Sequence, residues 1–241
     1  MAFIHGKSAI VLHNEFDLSS FFNDASTSRS IETAETTAFG NSAKTYIVGL
    51  QDGTISLSGM FDGAANAIDA EMTDIIGSND GGILTIAVGG SLALSQRVIS
   101  ALGELTSYEV SAPVGDVVAA NAEFQVDGGV GNAISLHALS AETATGSGSS
   151  HDNSASSANG GVAQIHVTAN TMNNNTVFKV QHSADNSTWA DLATFTTVAT
   201  TVKTAERVTV ASGTTVNRYL RSTWTASGTG SVTFHINFAR R

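Results

Sequence analysis

Groups able to do acid–base or nucleophilic chemistry are plentiful in this chain, but their spacing never assembles them into a team. The 21 Asp and Glu, seven His and many Ser could supply acids, bases and hydroxyl nucleophiles. Yet there is no G-x-S-x-G elbow, no H-E-x-x-H pair, no P-loop and no complete G-x-G-x-x-G after a strand. His137, His166, His182 and His235 fall in strand-like segments, where an imidazole is packed or exposed far more often than catalytic. Two acids could serve a glycosidase, but nothing fixes their separation. His151-Asp152 sets two metal-ligand types side by side on a Gly/Ser-rich stretch without a third ligand, a poor cation site. The sequence therefore assigns no catalytic residue, no metal and no cofactor, and the expectation is a protein that is not an enzyme.

The elements that position these residues are strands. A chain of 241 residues with 41% apolar and 13% charged content can bury one large or two modest cores. Cysteine is absent, so there is no disulfide framework and no thiolate metal site, and assembly must rest on non-covalent surfaces. The start, Met-Ala-Phe-Ile-His-Gly-Lys, lacks the basic and long apolar regions of a signal peptide, and no run approaches the roughly 20 apolar residues of a membrane helix. Neither export nor membrane insertion is expected. Charge is divided unevenly: residues 1–142 carry 17 acidic against 4 basic side chains, and residues 143–241 carry 4 against 7. An acidic and a mildly basic segment point to two roles.

In the acidic segment, Ser8–Leu12 reads as a first strand. Residues 24–45 are rich in Ser, Thr and small residues, with few large apolar groups and no helical stripe, so they read as an extended arm that orders only against a neighbour. Residues 54–61 then alternate Ile55, Leu57 and Phe61 with Thr54, Ser56 and Ser58, the period of a strand buried on one side. Residues 64–76 place Ile68, Met72, Ile75 and Ile76 on one helical face, with Gly77 as the C-terminal stop, which predicts a helix covering the sheet. After a turn at Asn79–Gly82, strands are expected at Ile83–Val88 and Gly103–Val110. In 117–127, Val118, Ala120, Ala122, Phe124 and Val126 share one face, and Asn121, Glu123, Gln125 and Asp127 the other. Gly128–Gly131 reads as a turn into an antiparallel partner, Ala133–Leu139.

The run Thr36-Thr-Ala-Phe-Gly40, Lys44-Thr-Tyr-Ile-Val-Gly-Leu50 and Gln51-Asp-Gly resembles the arm-to-strand segment of the major tail tube proteins of long-tailed bacteriophages, with Val48 in place of the proline. The resemblance covers roughly residues 1–140. It implies a ring-forming tail tube domain that stacks into a DNA conduit, with other copies of itself as partners, usually as hexamers. The tape measure and tail terminator proteins would be further partners, and the location would be the virion tail, assembled in the host cytoplasm. Phe39, Gly40, Tyr46, Ile47 and Leu50 become the inter-subunit arm. The wet face Asn121, Glu123, Gln125 and Asp127 becomes the candidate lumen lining, because acids repel phosphate and let genomic DNA slide without sequence-specific binding.

Ala141–Gly161 is Gly- and Ser-rich and reads as a linker. Beyond it, alternating segments at Val162–Thr168, Val177–Ser183, Thr188–Phe195, Ala205–Val210, Val216–Thr225 and Gly230–Phe238, with turn signals between them, predict a small β-sandwich. The run Phe178-Lys-Val-Gln-His-Ser-Ala-Asp-Asn-Ser-Thr-Trp189 resembles sandwich domains that decorate phage tails and also carbohydrate-binding modules. Trp189 and Trp224 could offer a stacking platform for a host-surface glycan, although a sandwich tryptophan is more often a core plug. The expected architecture is mainly β: a tail tube sandwich or barrel-forming domain with one short helix at 1–142, a linker at 143–161, and an immunoglobulin-like or jelly-roll-like sandwich at 162–241. Competing readings are a carbohydrate-binding module and a head decoration protein.

Overall fold

The structure, a computed structural model, describes residues 6–78 and 81–241. The expected turn at Asn79-Asp80 and the start of the chain before Gly6 lie outside the described residues. The described chain is mainly β, with two antiparallel sheets and a single α-helix. In chain order it forms β1 (Ile10–His13), β2 (Phe16–Asp17), β3 (Phe22–Glu35), β4 (Tyr46–Met60), α1 (Ile68–Ile75), β5 (Gly82–Ala87), β6 (Arg97–Ser111), β7 (Ala119–Glu142), β8 (Gly146–Ser147) and β9 (His151–Asp152). There follow β10 (Gly161–Asn170), β11 (Thr176–Ser183), β12 (Ala190–Thr194), β13 (Thr204–Val210), β14 (Tyr219–Ala226) and β15 (Val232–Arg240).

Two compact units share this chain. One draws on Met1–Ser20, Ile83–Ser100 and Gly131–Arg241, the other on Phe21–Gly82 and Ala101–Val130. This division departs from the linear one expected at residues 142 and 162, and β7 explains why. The predicted turn at Gly128–Gly131 does not form, and the strand runs unbroken for 24 residues. Gly128 and Gly129 take φ of +70° and +83°, so they absorb a local irregularity that glycine tolerates without reversing the chain. Residues 119–125 of β7 pair with β4, and residues 133–142 pair with β15.

The first unit is a β-sandwich. Strands in the order β13-β10-β15-β7 form one sheet, and β12-β11-β14 with β8 form the facing one. The register Ile165↔Ile236 and His166↔His235 sorts side chains by parity. Ala163, Ile165, Val167, Phe234, Ile236 and Phe238 enter the sandwich core with Phe178, Val180, Leu220 and Trp224. The opposite face of β10 and β15 carries Gln164, His166, His235 and Asn237, all fully buried. A second cluster in this unit, Leu12, Ala87, Leu92, Val98, Ala133 and Ala239, is built from β1, β5, β6, β7 and β15.

The stretch expected to be a linker is ordered along β14. Gly146 and Ser147 pair with Trp224 and Thr223, and His151 and Asp152 pair with Leu220 and Tyr219. Without them, the second edge of β14 would present unpaired backbone groups. Its Gly/Ser composition marked flexibility, yet Thr145 donates its hydroxyl to the Ala226 carbonyl at 3.0 Å and Arg218 grips Asp152, so side chains anchor it.

In the second unit β4 pairs with β3 on one side and β7 on the other. The expected core face holds for Ile55, Leu57, Ala120, Ala122, Phe124 and Val126, which are buried, but not for Phe61, which lies past the end of β4 and is exposed, while Val118, ahead of β7, is half-buried. Helix α1 spans a shorter range than the apolar pattern, burying Ile68 and Met72 and leaving Ile76 outside the helix and exposed. Gly77 adopts φ +78°, the left-handed turn that ends a helix. The Tyr108 hydroxyl of β6 donates to Asp69 at 3.1 Å, fastening the helix to that strand.

Candidate assembly surface

Of residues 24–45, expected to be an extended arm that orders only against a neighbour, 24–35 form most of β3, a fourteen-residue strand paired within the chain with β4 from Phe22↔Gly59 to Glu35↔Tyr46. The alternation that marks a half-buried strand is missing here because neither face of the distal part is covered, so the usual signal is silent. Two irregularities shape the hairpin, one between Phe22 and Asp24 and one between Ile31 and Thr33. At the first, Gly59 lies so close to the Phe21 carbonyl that a Cβ would stand 2.0 Å from its oxygen. Only glycine fits there.

Beyond Gly53, β4 has no partner except β3 among the described residues, and the hairpin becomes a two-stranded ribbon. Its tip is fixed locally. Thr36 donates its backbone N–H to the Thr45 carbonyl at 2.8 Å, the Thr45 N–H reaches the Thr37 hydroxyl at 3.1 Å, and Lys44 pairs with Glu35 at 3.0 Å. That pair is exposed, and the ammonium holds the Glu35 carboxyl below the usual carboxylate range. Gly40 takes φ +93° in the turn. A two-stranded ribbon of this kind is marginal in water unless a further strand or surface covers it.

The residues expected as inter-subunit anchors converge on this ribbon. Phe39 is fully exposed, Leu50 is 77% exposed, and Tyr46 and Ile47 are more than half exposed. Ile31 and Val48, which sequence reasoning missed, are further exposed apolar side chains of the ribbon, at 51% and 74%. Val48 was legible only as a departure from a proline. Ile31 sits in a run of polar residues, where a lone apolar side chain gives no periodic signal.

The edge of β3 that faces away from β4 has no partner strand among the described residues. Natural edge strands are usually short or interrupted by proline, lysine or bulges that discourage pairing. Here Phe-Asn-Asp-Ala-Ser-Thr-Ser-Arg-Ser-Ile-Glu-Thr-Ala-Glu offers fourteen residues without proline or lysine, and the stretch between the irregularities at Phe22/Asp24 and Ile31/Thr33 pairs in regular register.

The wet face of the same sheet is the candidate lumen lining. Asn121 is half-buried, and Glu123, Gln125 and Asp127 are exposed, in strict alternation with buried neighbours. Across the sheet Asn121, Glu123 and Gln125 lie beside Ser58, Ser56 and Thr54 of β4, and those in turn beside Asp24, Ser26 and Ser28 of β3. Ser28 and Thr54 share a hydrogen bond of 2.7 Å. Gln125 donates to Asp52 and to the Gly53 carbonyl, the latter at 3.1 Å, so its amide is committed to the sheet. The result is a surface of small hydroxyls studded with carboxylates. The unit that carries it holds 14 acidic against 2 basic side chains, whereas the other unit holds 7 against 9. Negative charge follows the compact unit more sharply than it follows the linear chain.

The two tryptophans part company. Trp224 is 7% exposed, donates its indole N–H to the Ala144 carbonyl at 2.8 Å, and packs edge-on to His137 and Phe234. It is a core plug and no surface platform. Trp189 is half-buried, and the Arg221 guanidinium lies 4.2 Å over its ring while donating to Gln181 at 2.8 Å, so one stacking face is already taken.

Of the four strand histidines, His137, His166 and His235 are interior and His182 is half-buried. His166 donates Nδ1–H to the Asn14 carbonyl at 2.7 Å, and its Nε2 lies 2.8 Å from the Thr85 hydroxyl. His235 donates Nδ1–H to the His137 carbonyl at 2.6 Å. With a carbonyl fixing each Nδ1 proton, both rings are neutral, and burial pushes their pKa values down to about 4 and about 3. Asp152 is bound by both nitrogens of Arg218 at 2.7 and 2.6 Å, which leaves no adjacent His–Asp pair free to hold a metal.

No family model matches this chain, and no curated protein matches it. Among solved structures it is similar to a chain of the virion of a native gene transfer agent particle, at 14% identity and TM-score 0.42, over 52% of this chain and 95% of that one. It is similar to a chain of the anti-feeding prophage baseplate, at 14% identity and TM-score 0.40, over 49% and 87%. It is also similar to the SPP1 Dit hub protein, at 11% identity and TM-score 0.37, over 96% and 98%. The first is described as part of a virion, the second as part of a baseplate, and the third as a hub of the adsorption apparatus of phages that infect Gram-positive hosts. The scores are too low to carry a functional conclusion, which rests on the chain's own surfaces. No helix among the described residues is long and apolar enough to cross a membrane.

Proposed function

We propose that this chain is a structural protein of a bacteriophage-type tail, whose acidic unit joins copies of itself into rings that stack as a tube. The observation that carries this reading is the β3–β4 hairpin: a long edge with no partner strand among the described residues, continuing into a ribbon that leaves several large apolar side chains more than half exposed. Pairing of β3 with a neighbouring copy would remove the edge, and head-to-tail contacts of this kind close into a ring. Fully covering one large apolar side chain contributes roughly 1.5–3 kcal/mol. Four anchors per arm, Phe39, Tyr46, Ile47 and Leu50, two of them already nearly half covered, thus supply at most on the order of 6–12 kcal/mol, comparable to the roughly 4–15 kcal/mol lost in association. A single contact is marginal; a closed ring, in which every copy both gives and receives an arm, is not. The hexameric order comes from the family resemblance, as do the tape measure and tail terminator proteins as partners.

In such a ring Asn121, Glu123, Gln125 and Asp127 would line the lumen. Duplex DNA would be repelled by the carboxylates and slide through water and counterions.

Replacing residues 30–51 by a short turn tests the assignment. The reading expects the full chain to give annuli or tubes in negative stain and large particles in light scattering, and the deletion variant to stay a folded monomer. Tubes from the deletion variant would refute the role of the arm.

A further inference from the structure

The first unit contains a cavity of about 380 Å³ at the rim of its sandwich, lined by Arg97, Asn132, His151, Asn153 and Arg240 among others. Strand alternation explains its composition. Asn132 shares a face with Ile134 on β7, and Arg240 shares one with Phe238 on β15, so the polar pair extends the core face outward where the sandwich opens. The ordered strap bearing β9 closes the other side and brings His151, whose Nδ1 lies 2.8 Å from the Ser95 hydroxyl. The volume lies within the range of small-molecule sites, and an apolar floor of Ile134 and Phe238 under convergent polar groups is their usual chemistry.

The charge balance inside is positive. Asp152, the one carboxylate in the lining, is neutralised by Arg218, and the Ser154 N–H also donates to it at 2.7 Å. Arg240 gives its terminal nitrogens to the carbonyls of Ala155, at 2.9 Å, and Asn217, and its buried Nε has no hydrogen-bond partner. Neutral carbonyls do not cancel its charge, and burial lowers its pKa. Arg97 is exposed and makes no ion pair among the described residues. Burial also lowers the His151 pKa, so its ring is neutral near pH 7 and can accept or share a hydrogen bond with a hydroxyl.

We infer that this cavity binds a monosaccharide-sized, hydroxyl-rich ligand carrying one oxyanion, a carboxylate or a phosphate. Arg97 faces the anion, with the carbonyl-bound Arg240 adding positive potential behind it, Asn132, Asn153 and His151 meet hydroxyls, and the Phe238–Ile134 floor meets the apolar side of a sugar ring or polyol chain. The site is separate in the sequence from Trp189 and does not depend on tube assembly.

Isothermal titration and ligand-observed NMR on the full chain, with glucuronic acid, glycerol phosphate, inorganic phosphate and glucose as probes, test the inference. Saturable binding of glucuronic acid or glycerol phosphate is expected, with glucose at least tenfold weaker and affinity falling as salt rises. Inorganic phosphate binding as tightly as glycerol phosphate would overturn the hydroxyl-rich part of the inference. Arg97→Gln, at an exposed and unpaired position, should lower affinity at least fivefold without moving Tm, whereas Trp189→Ala should leave it unchanged. Absence of saturable binding by both organic anions, or binding indifferent to Arg97→Gln, would overturn the site.

Discussion

His166 and His235 give the protein an acid limit that can be worked out in sign. An imidazole in the unfolded chain titrates near 6.5, and in the fold these two titrate at about 4 and about 3. Below pH 6.5 the unfolded chain takes up protons that the folded one refuses. Stability is therefore whole above that pH and falls as pH drops toward the folded values. For His166 alone the loss by pH 4 is on the order of 3 kcal/mol. Chemical denaturation between pH 7.5 and 4 should show this decline, and His166→Gln should flatten it while lowering stability at neutral pH. A pH-independent midpoint across that window would contradict the buried neutral assignment. Gly59 sets a second limit at this scale: Gly59→Ala forces a Cβ into the Phe21 carbonyl and should cost more than about 2 kcal/mol, read as a fall in Tm. The histidines were legible only as strand residues. Their partners, Asn14 and Thr85 for His166 and the His137 carbonyl for His235, come from distant parts of the chain, which no local pattern encodes.

Strand alternation made the elements legible wherever one face is covered. It found the buried and wet faces of residues 119–127 and six sandwich strands within a few residues of their observed limits. It was silent on β3, because a ribbon with two bare faces has no alternation to display, and it read composition as flexibility in 143–161, where hydrogen bonds to β14 impose order. Gly128-Gly129 misled for a related reason. Positive φ at glycine serves a bulge as well as a turn, and the choice depends on which strands lie beside it. The bare ribbon is also the element whose chemistry is easiest to alter without harming the fold. Phe39→Lys and Leu50→Lys replace exposed side chains and should change monomer stability by less than about 0.5 kcal/mol. Both should abolish large particles in sedimentation velocity at low salt. Undiminished assembly in the double variant would remove these anchors from the interface.

At the scale of the whole molecule the chain separates its charges: the acidic unit carries the candidate lumen and arm, and the near-neutral unit carries a packed sandwich. A carboxylate-studded face of small hydroxyls suits passage of a polyanion, and reversing its sign should turn a conduit into a trap. Glu123→Lys with Asp127→Lys leaves the buried face of β7 untouched, so particles should still form. They should retain duplex DNA at low salt and release it as ionic strength rises. Equal DNA retention by the unmodified chain would argue against lumenal carboxylates.

The most direct measurement is cryo-electron microscopy of the particles formed by the purified full-length chain. The account predicts closed rings in which the outer edge of β3 meets a neighbouring copy, the Phe39–Leu50 ribbon is covered, and Glu123 and Asp127 point into a central channel. A monodisperse monomer at high concentration, or rings with those two carboxylates on the outside, would contradict it.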